Sequence, residues 1–103
     1  MKYKVKFPNR SLEKKFAKIL SKVPQISLQD EIMDDVEKLT ENPRPFGKKR
    51  FKKLRPPIYF YHFTAQYRIR VGNYRVLYDI DDKQKTVWIL HLRRRTEHTY
   101  KGY

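Results

Sequence analysis

The sequence predicts a single α+β domain over residues 1–103, with the order β-α-α-β-β-β and an antiparallel sheet that carries two helices on one face. Two observations lead to this fold class. The N-terminal part spaces its apolar residues as helices do after one short alternating segment, whereas the C-terminal part alternates with the period of strands. With 39% hydrophobic and 15% aromatic residues, a chain of this length can fold around one modest core.

The N-terminal elements are one strand and a helical hairpin. Residues 2–7 alternate lysines with Tyr, Val and Phe, which is typical of a half-buried strand. A first helix follows, capped by Asn9 or Ser11, and a second begins at a capping box of Ser27 and Asp30. The second helix combines an apolar stripe with an acidic face. Both helices are therefore expected to pack on the sheet.

The C-terminal part is predicted to be rich in strands. Residues 43–57 read as a basic, proline-flanked loop with a short edge strand around 51–54. A possible strand at 58–63 precedes a hairpin over residues 65–80, which turns at a Gly-Asn pair. Residues 86–92 are apolar on both faces apart from one histidine and predict a buried inner strand.

Charge is distributed unevenly along the chain. The net charge is +14, with +2 in residues 1–42 and +12 in residues 43–103. This concentration of positive charge in one part of the chain indicates a polyanionic partner, most often nucleic acid. A membrane surface is less favoured as a partner, because no basic amphipathic helix stands out. The absence of cysteine excludes a disulfide scaffold and a zinc-thiolate site. Without a signal-like or membrane-spanning apolar run, we expect a cytoplasmic protein.

The hairpin carries three arginines in its most strand-like part. Arg68 and Arg70 alternate with apolar residues, so they should lie on the sheet face away from the helices. The face of Arg75 is left open, because Leu77 shares its position in the alternation. Three like charges this close together should be balanced by something outside the chain.

The stretch "YRIRVGNYRVLYDID", followed by "VWILHLRRR" and a final tyrosine, resembles the RelE/ParE superfamily of bacterial toxins. The element order, the passage "NPRPFGKKRFKKL" and the chain length fit a RelE-like toxin domain, and the resemblance covers residues 3–100. It is weakest at "RPPIYFYHFTA", which is longer than the usual link before the hairpin.

The resemblance implies one of two activities. RelE-like toxins cut mRNA in the ribosomal A site without a metal or another cofactor, whereas ParE-like toxins bind DNA gyrase and are not nucleases. Both kinds are held inactive by an antitoxin, here expected to be RelB-like with an acidic amphipathic segment. The basic charge favours a ribosome-dependent mRNA endonuclease with ribosome and mRNA as partners. A gyrase inhibitor and a non-catalytic relative that binds RNA or antitoxin remain alternatives.

The resemblance also implies roles for the hairpin arginines. Arg68 and Arg70 match the basic pair on the active strand of the family, and Arg75 matches its phosphate-stabilising arginine. Some nuclease relatives carry lysine at the paired positions. Arginine does not lose its proton in proteins, so Arg68 and Arg70 suit an electrostatic clamp and not a general base.

The tail supplies the remaining implied roles. Arg94 or Arg95 matches the arginine near the leaving group, and Tyr100 matches the tyrosine that stacks on or orients a base. His98 is the expected general base, because an imidazole titrates in the required range, and Glu97 is the second choice.

Other conspicuous residues are given less specific roles. His91 is predicted to be a core histidine and His62 a packing residue. The three histidines lack ligand spacing, so no metal site is expected. Six basic residues before the hairpin are expected to contact RNA phosphates: Lys48, Lys49, Arg50, Lys52, Lys53 and Arg55.

Overall fold

The computed structural model describes residues 2–45, 50–60 and 62–95. Its elements are β1 (Lys4–Lys6), α1 (Arg10–Ser21), α2 (Ile26–Lys38), β2 (Phe51–Phe60), β3 (Phe63–Val71), β4 (Tyr74–Asp81) and β5 (Thr86–Arg94). The predicted α+β class is confirmed. In the described residues four strands follow the helices, and together with β1 they form a five-stranded sheet in the order β1-β5-β4-β3-β2.

The sheet is mixed where the sequence predicted an antiparallel one. Strands β2 to β5 pair antiparallel, but β1 pairs parallel to β5. Because β1 and β5 are about 80 residues apart in the sequence, no local sequence pattern indicates whether the two strands pair parallel or antiparallel. The sheet order places β1 at one edge of the sheet and β2 at the other.

The helix starts were predicted with mixed success. Asn9 caps α1 as expected, because its side-chain oxygen accepts the backbone N–H of Leu12 at 2.9 Å. The predicted capping box of α2 is wrong. That helix begins at Ile26, and Gln25 at its N-cap makes no capping bond through its side chain. Neither helix of the described residues is long and apolar enough to cross a membrane.

The main core lies between the helices and one sheet face. It joins residues of both helices to alternate residues of β3, β4 and β5. Its fully or almost fully buried members are Phe16, Val23, Ile32, Val36, Leu39, Tyr67, Ile69, Val71, Tyr74, Val76, Tyr78, Val87, Ile89 and Leu92. This confirms that the apolar positions of the β3–β4 hairpin meet the helices.

A second, smaller hydrophobic cluster exists besides the single core that the sequence predicted. Its buried members are Leu12, Ala65, Leu77 and Leu90. Leu77 lies between two main-core residues of β4, so strand alternation points it to the opposite face of the sheet. That face is therefore partly covered.

The long link before the hairpin forms part of the sheet. The predicted edge strand and residues 58–60 of the possible strand at 58–63 form one strand, β2, which is interrupted by a register shift between Lys53 and Ile58. Phe60 at the end of β2 and Phe63 at the start of β3 pack against the second cluster. Phe60 and Phe63 thus cover part of the sheet face opposite the main core.

The turn between β3 and β4 depends on Gly72. Its φ of +58° lies in the region that favours glycine, as the first position of a type II′ hairpin turn requires. A Cβ added there would meet Leu28 Cδ1 at 3.0 Å. The turn and α2 therefore approach each other closely, which fixes the hairpin against the helices.

An ion pair at one end of the strands joins the loop after α2 to the β4–β5 turn. Arg44 donates to both carboxylate oxygens of Asp82, at 3.1 and 2.8 Å, and the Tyr3 hydroxyl donates to the same carboxylate at 2.6 Å. Arg44 also donates to the Tyr67 hydroxyl at 3.2 Å. The hydrogen bonds that Asp82 accepts lower its pKa to about 2; the bond from Arg44 has the larger effect and that from Tyr3 the smaller.

This ion pair predicts an acid-sensitive contribution to stability. A depressed carboxyl pKa stabilises the fold above the unfolded value of about 3.9, and the contribution is lost as the pH falls towards 2. Asp82→Asn should therefore lower the free energy of unfolding at neutral pH and flatten its fall between pH 4 and 2. Urea unfolding across this range measures both effects, with Asp34→Asn on the exposed face of α2 as the control. Equal pH dependence in wild type and Asp82→Asn would contradict the prediction.

Candidate nucleic-acid interface

Three arginines form a row across β3, β4 and β5. Arg70 pairs with Arg75, and Arg75 pairs with Arg93 on its other side. Directly paired residues of antiparallel strands point to the same face with their Cβ atoms about 5 Å apart. All three are half-buried and lie on the face opposite the main core. We call them the arginine row and the face that bears them the arginine face.

A second row crosses the same face one step along the strands. Lys52 pairs with Arg68, Arg68 with Leu77, and Leu77 with His91. We call these four residues the histidine row. The Arg68 guanidinium donates to the carbonyl oxygen of Arg50 at 3.1 Å. The arginine face thus combines four arginines, one lysine and one imidazole on four neighbouring strands.

A bulge in β5 decides which of its residues reach this face. Tyr78 pairs with Ile89, but the preceding Leu77 pairs with His91, so Leu90 is an extra residue. After the bulge, the side chain of Leu92 is buried in the main core, and that of the next residue, Arg93, lies on the arginine face. Without the extra residue, strict alternation from Ile89 would turn His91 towards the helices. The bulge therefore brings both a histidine and an arginine to the arginine face.

His91 is half-buried on the arginine face, so the prediction of a core histidine is wrong. Its ring lies 5.0 Å from that of Phe60, measured between centroids. Phe60 also contacts Arg93, whose guanidinium carbon is 5.9 Å from the ring centroid. Burial, together with the positive charges of Arg93 and Lys15, lowers the pKa of His91 below its ordinary value. The neutral imidazole is therefore favoured.

The structure separates the three arginines that end β5. Arg93 belongs to the arginine row, whereas Arg94 pairs with Tyr74, points to the other face and is exposed. Arg95 follows the strand, and its backbone N–H donates to the carbonyl oxygen of Asn73. The sequence singled out Arg94 and Arg95 and missed Arg93, because strand alternation identifies it only when the bulge is known.

Beyond the histidine row the arginine face becomes less basic. Asp79 pairs with Trp88 there and accepts a hydrogen bond from the Gln66 amide at 3.1 Å. Burial raises the pKa of Asp79. Asp79 and Trp88 line a small pocket together with Pro8, Phe63, Thr64 and Leu90. No pattern in the sequence indicates this pocket.

The predicted RNA-contacting residues occupy different surroundings. Arg50 forms an ion pair with Asp35 at 3.1 Å and lies 4.0 Å from Glu31, so its charge is partly balanced by α2. Lys52 is exposed on the arginine face, and Lys53, also exposed, pairs with the core residue Tyr67. Arg55 is exposed in the irregular part of β2. Lys48 and Lys49 lie outside the described residues.

The remaining predictions concern residues of the tail and residues near the β2–β3 turn. Glu97, His98 and Tyr100 lie outside the described residues, so their roles stay predictions. His62 is exposed at the β2–β3 turn, and the prediction that it packs is wrong. Tyr59 is 73% exposed and is therefore available for contact with a partner.

The arginine face can hold a phosphate. The residues of the arginine row lie side by side on paired strands, and arginine binds phosphate oxygens through two parallel hydrogen bonds. A neutral imidazole lies one row away and can accept a proton. This combination of cations and a proton acceptor suits binding and cleavage of a phosphodiester.

Comparison with known proteins shows the family. The family model for the ParE toxin of the type II toxin-antitoxin system parDE matches residues 9–99. A search of curated proteins finds no significant match.

Solved structures of three toxins are similar to the chain. The archaeal RelE–RelB complex from Pyrococcus horikoshii has a TM-score of 0.69 and 28% identity, covering 94% of this chain and 99% of that one. The Mycobacterium tuberculosis toxin-antitoxin complex RelBE2 has a TM-score of 0.51 and 26% identity, covering 92% and 100%. A mutant of Escherichia coli RelE in the free state shares the fold, with a TM-score of 0.53, 16% identity and coverage of 96% and 88%. The chain belongs to the RelE/ParE superfamily and is a toxin of a type II toxin–antitoxin system.

Proposed function

We propose that this toxin is a metal-independent endonuclease that cuts mRNA on the ribosome. The arginine row is the observation that carries the proposal, because three arginines paired side by side on a sheet form a positively charged site that can bind an anion. Two of the similar structures, at 28% and 26% identity, are a RelE–RelB complex and a toxin-antitoxin complex named RelBE2, and this likeness favours the nuclease branch. The basic C-terminal part suits a protein that works among RNA phosphates.

The proposed reaction is attack of a ribose 2′-oxygen on the adjacent phosphate. The 2′-O–P bond forms while the bond from phosphorus to the 5′-oxygen breaks, which leaves a 2′,3′-cyclic phosphate and a free 5′-hydroxyl. Negative charge grows on the non-bridging phosphate oxygens in the transition state. In this proposal Arg70, Arg75 and Arg93 stabilise that charge, and Arg68 and Lys52 hold the flanking backbone; the pairing of these residues on one face supports these roles.

Gyrase inhibition is the second candidate, because the matching family model is that of the ParE toxin. On that proposal the arginine face binds a protein or DNA and the chain carries out no cleavage. A third candidate, a relative that binds RNA or antitoxin without cutting, takes its support from the arginines at both paired positions of β3, which cannot act as bases.

Incubation of the purified toxin with translating ribosomes tests these candidates, with primer extension to locate breaks in the mRNA. We expect cuts at defined positions on ribosomes and none at the same positions in naked RNA. Efficient cutting of naked RNA at those sites would overturn the ribosome dependence. No cutting in either setting, combined with poisoning of gyrase in a supercoiling assay, would move the protein to the ParE branch.

The two faces of β5 predict different effects for neighbouring arginines. Arg93→Ala should lower the single-turnover rate of cleavage by about tenfold or more, because it removes a cation from the arginine row. Arg94→Ala removes the same charge from the opposite face and should change the rate less than threefold. The matched pair separates position from net charge, since both variants carry the same charge. Equal losses would show that β5 contributes only a general attraction for RNA.

An antitoxin is expected to cover the arginine face with an acidic amphipathic segment. Carboxylates of such a segment would relieve the repulsion between Arg70 and Arg75, which are directly opposite each other. The affinity of the complex should fall as the salt concentration rises, because the contacts are between charges. Titration calorimetry at several ionic strengths measures this dependence. Constant affinity from low to high salt would place the main contact on an apolar surface elsewhere.

A further inference from the structure

We infer that His91 is the general base that accepts the 2′-hydroxyl proton in the reaction proposed above, on which this inference rests. The arginines of β3 cannot act as the base, and the residue that the sequence predicted for this role, His98, lies outside the described residues. His91 is the histidine that the described structure places within the basic rows. The other described histidine, His62, lies at the β2–β3 turn.

The position of His91 fits a base beside a bound phosphate. Arg93 follows two residues later on the same side of β5, about 7 Å along the strand. Arg75 is the diagonal neighbour on β4, about 7–8 Å away between Cβ atoms. A phosphate held between Arg75 and Arg93 therefore has its ribose within reach of the imidazole. On the other side of Leu77, Arg68 is placed to hold the next part of the backbone.

The fold specifies this position in two ways. The bulge at Leu90 turns His91 to the arginine face, and bulges are frequent beside active sites because they redirect a side chain. The Phe60 ring then packs against the imidazole and restricts its motion. Leu77, which is 1% exposed, supports the base from the neighbouring strand.

The charges around His91 keep it ready to accept a proton. Arg93 on β5 and Lys15 on α1 both disfavour the imidazolium, and burial acts in the same direction. Arg75 on β4 and Arg68 on β3 are the other cations of the two rows, while Asp79 is the carboxylate one row further along β4. A neutral imidazole at neutral pH is the state that a general base requires.

In the proposed step, a neutral ring nitrogen of His91 takes the 2′-hydroxyl proton as the 2′-oxygen bonds to phosphorus. The electron pair of the breaking bond stays on the 5′-oxygen, which receives a proton from water. The imidazolium then returns its proton to solvent. The reaction is a transesterification, so it consumes no oxidant, reductant or metal ion.

Single-turnover cleavage of ribosome-bound mRNA by His91→Gln is the test, with His62→Gln as the matched histidine control and His98→Gln as the rival base. Loss of a general base costs about a hundredfold or more. Wild type should speed up as the pH rises through a value below about 6.5 and then level off. His91→Gln should be slow and should lose this pH dependence, with unchanged binding to ribosomes and unchanged Tm. A mere packing role would leave the pH profile intact.

A substrate with sulfur in place of the 5′-oxygen separates a base from an acid. Sulfur leaves without a proton, so this substrate should not rescue His91→Gln; rescue would assign the histidine to the leaving group and overturn the inference. A wild-type rate and pH profile for His91→Gln would also overturn it, while cleavage by the wild type would leave the proposed function standing. Failure of the wild type to cut any mRNA would instead refute the proposed function.

Discussion

Arg75→Ala is expected to lower the single-turnover rate of mRNA cleavage about a hundredfold and to abolish toxicity in growing cells. Arg75 is the centre of the arginine row, paired with Arg70 on one side and Arg93 on the other. A rigid donor aimed at charge that develops in the transition state contributes about 3 kcal/mol, which corresponds to that factor in rate. Rapid-quench cleavage of ribosome-bound mRNA measures the rate.

Folding should survive this substitution. Arg75 is half-buried and lies outside both hydrophobic clusters, and its removal relieves a repulsion between directly opposed like charges. The free energy of unfolding should therefore change by about 1 kcal/mol or less, as urea titration would show. Lys83→Ala, on the exposed β4–β5 turn, is the control for loss of one positive charge. Cleavage by Arg75→Ala at the wild-type rate would reduce the arginine row to a binding surface.

Leu77→Ala should have the largest effect on stability among changes on the arginine face. Leu77 is 1% exposed and lies at the centre of the second cluster, where it packs with Leu12, Ala65 and Leu90. Truncation of a buried leucine removes its transfer free energy and leaves a cavity, at a cost of about 2–5 kcal/mol. Urea denaturation of the purified toxin measures the loss.

Tyr59→Ala is the control for this prediction. Tyr59 is a larger side chain, but it is 73% exposed, so its removal should change the free energy of unfolding by about 0.5 kcal/mol or less. A small loss from Leu77→Ala would mean that the second cluster contributes little to the fold. The arginine face would then be supported by the main core alone.

The sequence by itself determined much of the fold and the superfamily. The alternation of Ile69 and Val71 with Arg68 and Arg70 placed each pair on its correct face, because a strand points successive side chains to opposite sides. Helical spacing located both helices within a few residues. The motif around the hairpin identified the superfamily, which the family match confirms.

The tertiary structure decided what depends on contacts between distant residues. The face of Arg75 became clear only from its pairing with Arg70 and Arg93. The direction of β1 and the second cluster follow from packing between segments far apart in the chain.

The bulge at Leu90 is the clearest case. One extra residue reverses the alternation of everything that follows it in β5. Whether such a residue is extra is defined by the partner strand, and the sequence of β5 alone does not contain that information. For this reason the sequence assigned His91 to the core and overlooked Arg93, whereas the folded sheet places both on the arginine face.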